Sequence, residues 1–173
     1  MNRRESLKML MAASGGLLAL PAWAGQWHVD DLATHASSFV AAEQAMLAAV
    51  VDTILPQGVV VGGLSVGVDK FLQKLFDHCY DATVQANIKT QLAKLEASAS
   101  AKYGQPFSAC AQYEREALLM AFAHSADASE KEFFTLVKAE TIRGFSTSRE
   151  VMTNYLEYKT APGHYYGCVD VNA

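Results

Sequence analysis

Residues 129–145 read SEKEFFTLVKAETIRGF, and this stretch has the pattern of an amphipathic helix with marked ends. Ser129 followed three residues later by Glu132 is the capping-box pattern that begins a helix. Apolar side chains then recur at helical spacing, and Gly144 is a typical stop signal. The stretch predicts a helix from Ser129 to Gly144 that contains the apolar residues Phe133, Phe134, Leu136, Val137 and Ile142.

The same spacing recurs upstream of this stretch. Apolar residues mark one helix from Phe39 to Ile54, which Pro56 ends, and a second over residues 68–80. A narrow apolar stripe over residues 84–99 marks a third helix, with Gly104 as its C-terminal cap. Three helices are therefore predicted before residue 105.

The remaining sequence completes the predicted architecture. Ser108 is placed to begin a helix that runs to about residue 122, and residues 146–148, all Ser or Thr, are placed to cap a last short helix. Residues 159–173 show no periodicity and are interpreted as a C-terminal tail. The sequence therefore predicts an all-α single domain of about five to six helices over residues 39–173.

A glycine-rich stretch separates the first two predicted helices, with glycines at positions 58, 62, 63 and 67. The valines at 59–61 could form a short strand, but the glycines favour a loop. A dinucleotide-binding loop needs the G-x-G-x-x-G spacing after a strand. This spacing is missing, so we expect no nucleotide cofactor on this chain.

No catalytic or metal-binding pattern stands out among the polar residues. The five histidines, at 28, 35, 78, 124 and 164, are scattered and form no H-E-x-x-H pair. Cys79 follows His78, but adjacent helical residues point about 100° apart and would not face each other. We expect no catalytic, cofactor or metal site. A freestanding helical enzyme using Asp77 and His78 is the alternative.

Residues 1–24 have the organisation of an export signal. Arg3 and Arg4 form a basic start, an apolar run covers residues 9–20, and Ala22 and Ala24 give a small-x-small cleavage site. The run is too short to span a bilayer, and the arginine pair resembles the twin-arginine pattern. The alternatives are an ordinary secretory signal and a retained N-terminal anchor. We expect a periplasmic protein with a mature arm over residues 25–38.

Composition narrows the partners that the mature chain can bind. Removing the signal leaves 149 of 173 residues, with 11 of the 14 basic and 17 of the 18 acidic side chains, a net charge near −6. This acidic balance argues against nucleic acid and anionic lipid. No later segment is apolar enough to span a membrane. The odd number of cysteines, at 79, 110 and 168, leaves at least one thiol free or paired with another chain.

Several short motifs resemble the gluconate 2-dehydrogenase subunit 3 family. Over the C-terminal third they are Phe133-Phe134-x-Leu136-Val137-Lys138-x-x-Thr141, Gly144-Phe145-x-Thr147-Ser148 and Tyr158-x-x-x-Pro162-Gly163-x-Tyr165-x-Gly167-Cys168-Val169. Two earlier stretches, residues 51–56 and 67–80, are similar as well. After residue 169, relatives often continue with Pro and a tryptophan-bearing extension, whereas this chain ends at Ala173.

The resemblance implies a non-catalytic accessory subunit. Such subunits accompany flavin-dependent dehydrogenases of the glucose-methanol-choline type, which oxidise sugars, sugar acids or alditols outside the cytoplasm. The large subunit holds FAD, and a cytochrome c often accepts the electrons. The small subunit carries the twin-arginine signal and escorts the large one. The alternative is a standalone periplasmic binding module without a dehydrogenase partner.

The resemblance also bears on the cysteines. Cys79 and Cys168 fall within matched motifs, whereas Cys110 does not. This implies a disulfide between Cys79 and Cys168, with Cys110 as a buried free thiol. The alternative is a bond from Cys168 to the large subunit.

Overall fold

The computed structural model of the protein describes residues 36–159, 161 and 163. Within these residues the chain forms six α-helices and no strand, which confirms the predicted all-α fold. A short 3-10 turn at Phe107–Ala109 precedes the fourth helix. In chain order the helices α1 to α6 are Ala41–Ile54, Val68–Cys79, Ala82–Tyr103, Gln112–Ala123, Ala128–Thr147 and Arg149–Asn154.

Helix α5, which contains residues 129–145, lies at the centre of the bundle. It contacts each of the other five helices described. Phe133 and Val137 on α5 are almost fully buried, and the Phe133 ring meets that of Phe122 on α4 at 6.1 Å between centroids. Burying one such side chain stabilises a fold by about 1.5–3 kcal/mol. The apolar face of α5 is therefore the surface on which the other helices pack.

The apolar stripes of α1, α2 and α3 form the rest of the core. Leu47 and Val51 of α1 and Leu72 of α2 are fully buried. The predicted stripe on α3 is also confirmed at Ile88, Leu92, Leu95 and Ala99, while Val84 at its start stays half-buried.

The start of α4 differs from the sequence prediction. The helix begins at Gln112, after a 3-10 turn that contains Ser108. This turn buries the Phe107 side chain completely. The carboxylate of Glu114 then accepts a hydrogen bond from the Ala111 amide at 2.9 Å, which satisfies one of the free amides before α4. Ser108 therefore caps no helix.

The capping box predicted at Ser129 and Glu132 is also wrong. Asp127 is the N-cap of α5, and its carboxylate accepts a hydrogen bond from the Ser129 amide at 2.9 Å. An aspartate at this position supplies both the acceptor and a negative charge for the helix dipole. Ser129 therefore lies in the first turn of the helix.

The end predicted for α5 at Gly144 is wrong because the helix continues to Thr147. Gly144 is buried where α5 packs on α2, beside Val68 and Phe71. The absence of a side chain at Gly144 therefore allows α5 and α2 to pack closely. The predicted cap of the last helix is confirmed, since Ser148 Oγ accepts from the Val151 amide at 3.4 Å.

The glycine-rich segment between α1 and α2 is a loop, as predicted. The loop closes on itself, since the Gly63 amide donates to the Leu55 carbonyl at 2.9 Å and the Val68 amide donates to the Gly63 carbonyl at 3.0 Å. A Cβ on Gly62 would lie 2.7 Å from the backbone nitrogen of Gln57. Only glycine fits this approach, so the loop conformation is specified locally.

Among the helices that the structure describes, none is both long and apolar enough to cross a membrane. The predicted signal and most of the predicted arm precede residue 36 and lie outside the described residues.

Candidate functional site

An open groove of about 530 Å³ lies between α3 and α5, next to Tyr80 at the end of α2. Its apolar wall is formed by Val84, Phe133, Leu136 and Ala139, and the polar residues on its lining are Asn87, Lys131, Glu132 and Thr135. The carbon-rich wall suits an apolar side chain or ligand. No serine, cysteine or histidine occurs among the described residues that line the groove.

Tyr80 and Glu140 form a hydrogen bond at one end of the groove. The Tyr80 hydroxyl donates to Glu140 Oε1 at 3.0 Å, and the other carboxylate oxygen forms an ion pair with Arg143. Burial raises the pKa of Tyr80, and the hydrogen bond to the Glu140 carboxylate raises it further. Tyr80 therefore stays a protonated donor at neutral pH. The contact joins the end of α2 to α5.

Asp77 binds Ser38, near the start of the described chain. Asp77 is one of the two residues that a freestanding helical enzyme, the alternative interpretation of the sequence, would use. Its two carboxylate oxygens accept hydrogen bonds from the amide and the hydroxyl of Ser38, at 3.0 and 2.5 Å. The Lys89 ammonium donates to the Ser38 carbonyl at 2.9 Å from α3. Asp77 therefore has a clear role in the fold, because it holds the entry to α1 against α2.

Two further polar contacts join α4 to α1. The Arg115 guanidinium donates to the Asp52 carboxylate at 2.9 Å, and the Gln112 amide donates to the Thr53 carbonyl at 2.9 Å. Both contacts are partly buried, and the bond between Arg115 and Asp52 is charge-assisted, which makes it stronger than a bond between neutral groups. These side chains are engaged in holding the bundle together.

The described histidines and cysteines do not converge on one site. His78 and Cys79 are exposed at the end of α2, and His124 is exposed at the end of α4. Cys110 is buried, as expected, and its thiol lies 3.5 Å from the Pro106 carbonyl. Within the described residues, no group of three or more His, Cys, Asp or Glu side chains could hold a metal ion.

Several residues predicted to be functional lie outside the described part of the chain. These are the signal residues Arg3, Arg4, Ala22 and Ala24, and Cys168 of the predicted disulfide. Neither Cys79 nor Cys110 forms a disulfide with another described residue. Both the export signal and the Cys79–Cys168 bond therefore stay predictions.

The groove and the Ser38–Asp77 contact are absent from the sequence prediction. The period of α3 assigns Val84 to the core, and the period of α5 does the same for Leu136. In the structure both are half-buried, because both line the open groove between the two helices. No spacing rule links Ser38 to Asp77, which is 39 residues away. Only the packing of α1 on α2 brings them together.

The fold and its polar contacts define a small helical protein with an apolar groove. The family model for gluconate 2-dehydrogenase subunit 3 matches residues 41–163, a range that includes all six described helices. The chain therefore belongs to the gluconate 2-dehydrogenase subunit 3 family. It matches no curated protein and no solved structure.

Proposed function

We propose that this protein is an exported, non-catalytic small subunit that escorts and stabilises a flavin-dependent dehydrogenase. The family match over residues 41–163 carries the proposal, because it assigns the whole helical domain to a dehydrogenase subunit. The partner is a large subunit of the glucose-methanol-choline type that holds FAD and oxidises a sugar, sugar acid or alditol. A cytochrome c is a further expected component.

The polar contacts of the described residues support a structural role. Asp77 binds Ser38, Glu140 binds Tyr80, and Asp52 binds Arg115, so each of these carboxylates is engaged within the fold. A general base must instead be within reach of a substrate proton. The carbon-rich groove between α3 and α5 is suited to binding rather than to chemistry.

The N-terminal sequence supports the escort role. The pair Arg3-Arg4 precedes an apolar run and a small-x-small site, a pattern typical of the twin-arginine route. This route carries folded proteins, so one signal can export a preassembled complex. A subunit that binds only the folded large subunit also stabilises it by mass action.

Co-expression with a candidate large subunit tests the proposal. A tag on Ala173 should recover from the periplasm a complex with flavin absorbance that oxidises its substrate in the presence of an electron-accepting dye. The same large subunit expressed alone should stay in the cytoplasm.

The mature chain alone is the matched control, and we expect it to carry no flavin and no activity. Stoichiometric flavin in the isolated chain would contradict the non-catalytic role. A large subunit that reaches the periplasm without this chain would contradict the escort role.

A further inference from the structure

Among the exposed apolar side chains of the described chain, six are grouped in two short segments. The first is the loop between α1 and α2, where Val59 is fully exposed and Val60 and Leu64 are 60% and 40% exposed. The second follows α6, where Tyr155, Leu156 and Tyr158 are between 49% and 57% exposed. Single exposed apolar residues are common on protein surfaces, but such grouping is typical of interaction sites.

Both segments lie at the same end of the bundle. The loop runs directly into Val68, the first residue of α2, and this residue packs beside Gly144 near the end of α5. Helix α6 begins at Arg149, shortly after α5 ends, and packs on α5. We call the six residues of the two segments the apolar end surface.

Hydrogen bonds hold both segments in place. The Ser65 hydroxyl donates to the Gly62 carbonyl at 2.7 Å, and the Gly58 amide donates to the Val60 carbonyl at 3.3 Å. After α6, the Tyr158 amide donates to the Met152 carbonyl at 2.9 Å. These hydrogen bonds restrain the backbone that carries the apolar side chains, and such restraint lowers the entropy that binding costs.

The exposed area fits a protein partner. At the exposed fractions given above, the six residues together expose on the order of 700 Å², close to the roughly 800 Å² that each partner buries in an interface of standard size. Tyrosine is among the residues enriched at interfaces, and none of the six is charged. The mature chain carries a net charge near −6, which disfavours pairing with a second copy.

We infer that the apolar end surface is the docking site for the large flavoprotein subunit. The inference rests on the proposed function, and it adds the location of the contact. The groove between α3 and α5 is a separate feature, because none of the six residues lines it.

Two double variants test the docking site. Val59→Ser with Val60→Ser changes the loop, and Tyr155→Ser with Leu156→Ser changes the segment after α6. The matched control is Tyr113→Ser with Met120→Ser on α4, where both residues are exposed but lie outside the surface. Each tagged variant is co-expressed with the large subunit, and bound flavin is measured per small subunit.

Each surface variant should recover at least about tenfold less flavin than the wild type, a loss of about 1.4 kcal/mol of binding free energy for the two truncated residues together. The control should stay within about twofold. Circular dichroism of each purified chain checks that it is folded. Full flavin recovery by both folded surface variants would place the contact elsewhere and overturn the inference, while the proposed function would stand.

Two other outcomes can be distinguished from a docking contact that lies elsewhere on the chain. A wild-type chain that recovers no flavoprotein would overturn the proposed function together with the inference. A mature chain that is dimeric alone and becomes monomeric in the surface variants would identify a second copy as the occupant, which also overturns the inference. Size-exclusion chromatography with light scattering separates these cases.

Discussion

Gly144 of α5 lies so close to Phe71 of α2 that a Cβ on Gly144 would be 2.6 Å from Phe71 Cδ1. A glycine within a helix costs about 1 kcal/mol relative to alanine. Here the cost is offset because the absent side chain lets α2 approach α5. The contact involves the first turn of α2, which directly follows the loop that carries Val59 and Val60.

Gly144→Ala should lower the free energy of unfolding by about 1 kcal/mol, because overpacking against Phe71 outweighs the gain in helix propensity. Urea unfolding followed by circular dichroism measures the change. Gly58→Ala is the control, since a Cβ there meets no atom within 4 Å. In a double-mutant cycle with Phe71→Ala, the two changes should be non-additive. Additive effects would show that the close contact between Gly144 and Phe71 does not cause the loss of stability in Gly144→Ala.

Asp77→Ala should release the segment before α1. It removes both hydrogen bonds from Ser38, and we expect a loss of stability of about 1–2 kcal/mol. Ser38→Ala should cost less, because the Ser38 amide keeps its bond to Asp77. Thermal unfolding and limited proteolysis near residue 38 measure both effects. Equal stability of Asp77→Ala and wild type would show that this contact contributes nothing.

Because Asp127, the N-cap residue of α5, carries a titratable carboxylate, we expect the stability of the fold to depend on pH. The hydrogen bond from Lys94 lowers the pKa of Asp127 below its ordinary value of 3.8, and the bond from the Ser129 amide lowers it further. A carboxylate with a lowered folded-state pKa contributes stability above its unfolded pKa. That contribution is lost as the pH falls through the folded pKa.

Asp127→Asn keeps a capping acceptor but removes this titration. Above about pH 5, its free energy of unfolding should fall below that of the wild type by the full contribution of the charge. This difference should shrink below about pH 4. Urea unfolding of both proteins at several pH values measures the deficit. A deficit that does not change with pH would contradict the role of the charge.

The predicted disulfide should join Cys79 to Cys168 in the exported protein and leave Cys110 reduced. Cys79 is exposed and accessible, whereas the Cys110 thiol is buried. Loss of the bond in Cys168→Ser should lower stability by roughly 2–5 kcal/mol. Non-reducing peptide mapping identifies the pairing, with Cys110→Ser as the control. A peptide that links Cys168 to the large subunit would support the intersubunit alternative instead.

Export should depend on the arginine pair. Arg3→Lys with Arg4→Lys keeps the charge but removes the guanidinium groups, so this chain and its large subunit should stay in the cytoplasm. Cell fractionation with immunoblotting measures both chains. Lys8→Arg, which leaves the pair intact, is the control. Normal export of the double variant would indicate the general secretory route.

The sequence alone determined the helical fold, because the recurrence of apolar residues every three or four positions is a local property. The same recurrence placed the apolar stripe of α3, the glycines indicated the loop between α1 and α2, and the Ser and Thr residues at 146–148 indicated the cap of α6. The family motifs could also be identified without the structure. Each of these depends only on residues close together along the chain.

The tertiary structure decided the features that depend on distant residues. A stop signal and a close helix contact both favour glycine, so the sequence at Gly144 could not distinguish them. Only the position of Phe71 does. In the same way, only helix packing brings Ser38 to Asp77 and keeps Val84 and Leu136 partly exposed beside the groove. Spacing along the chain carries no information on which faces of two helices meet, since that depends on the fit of all the side chains between them.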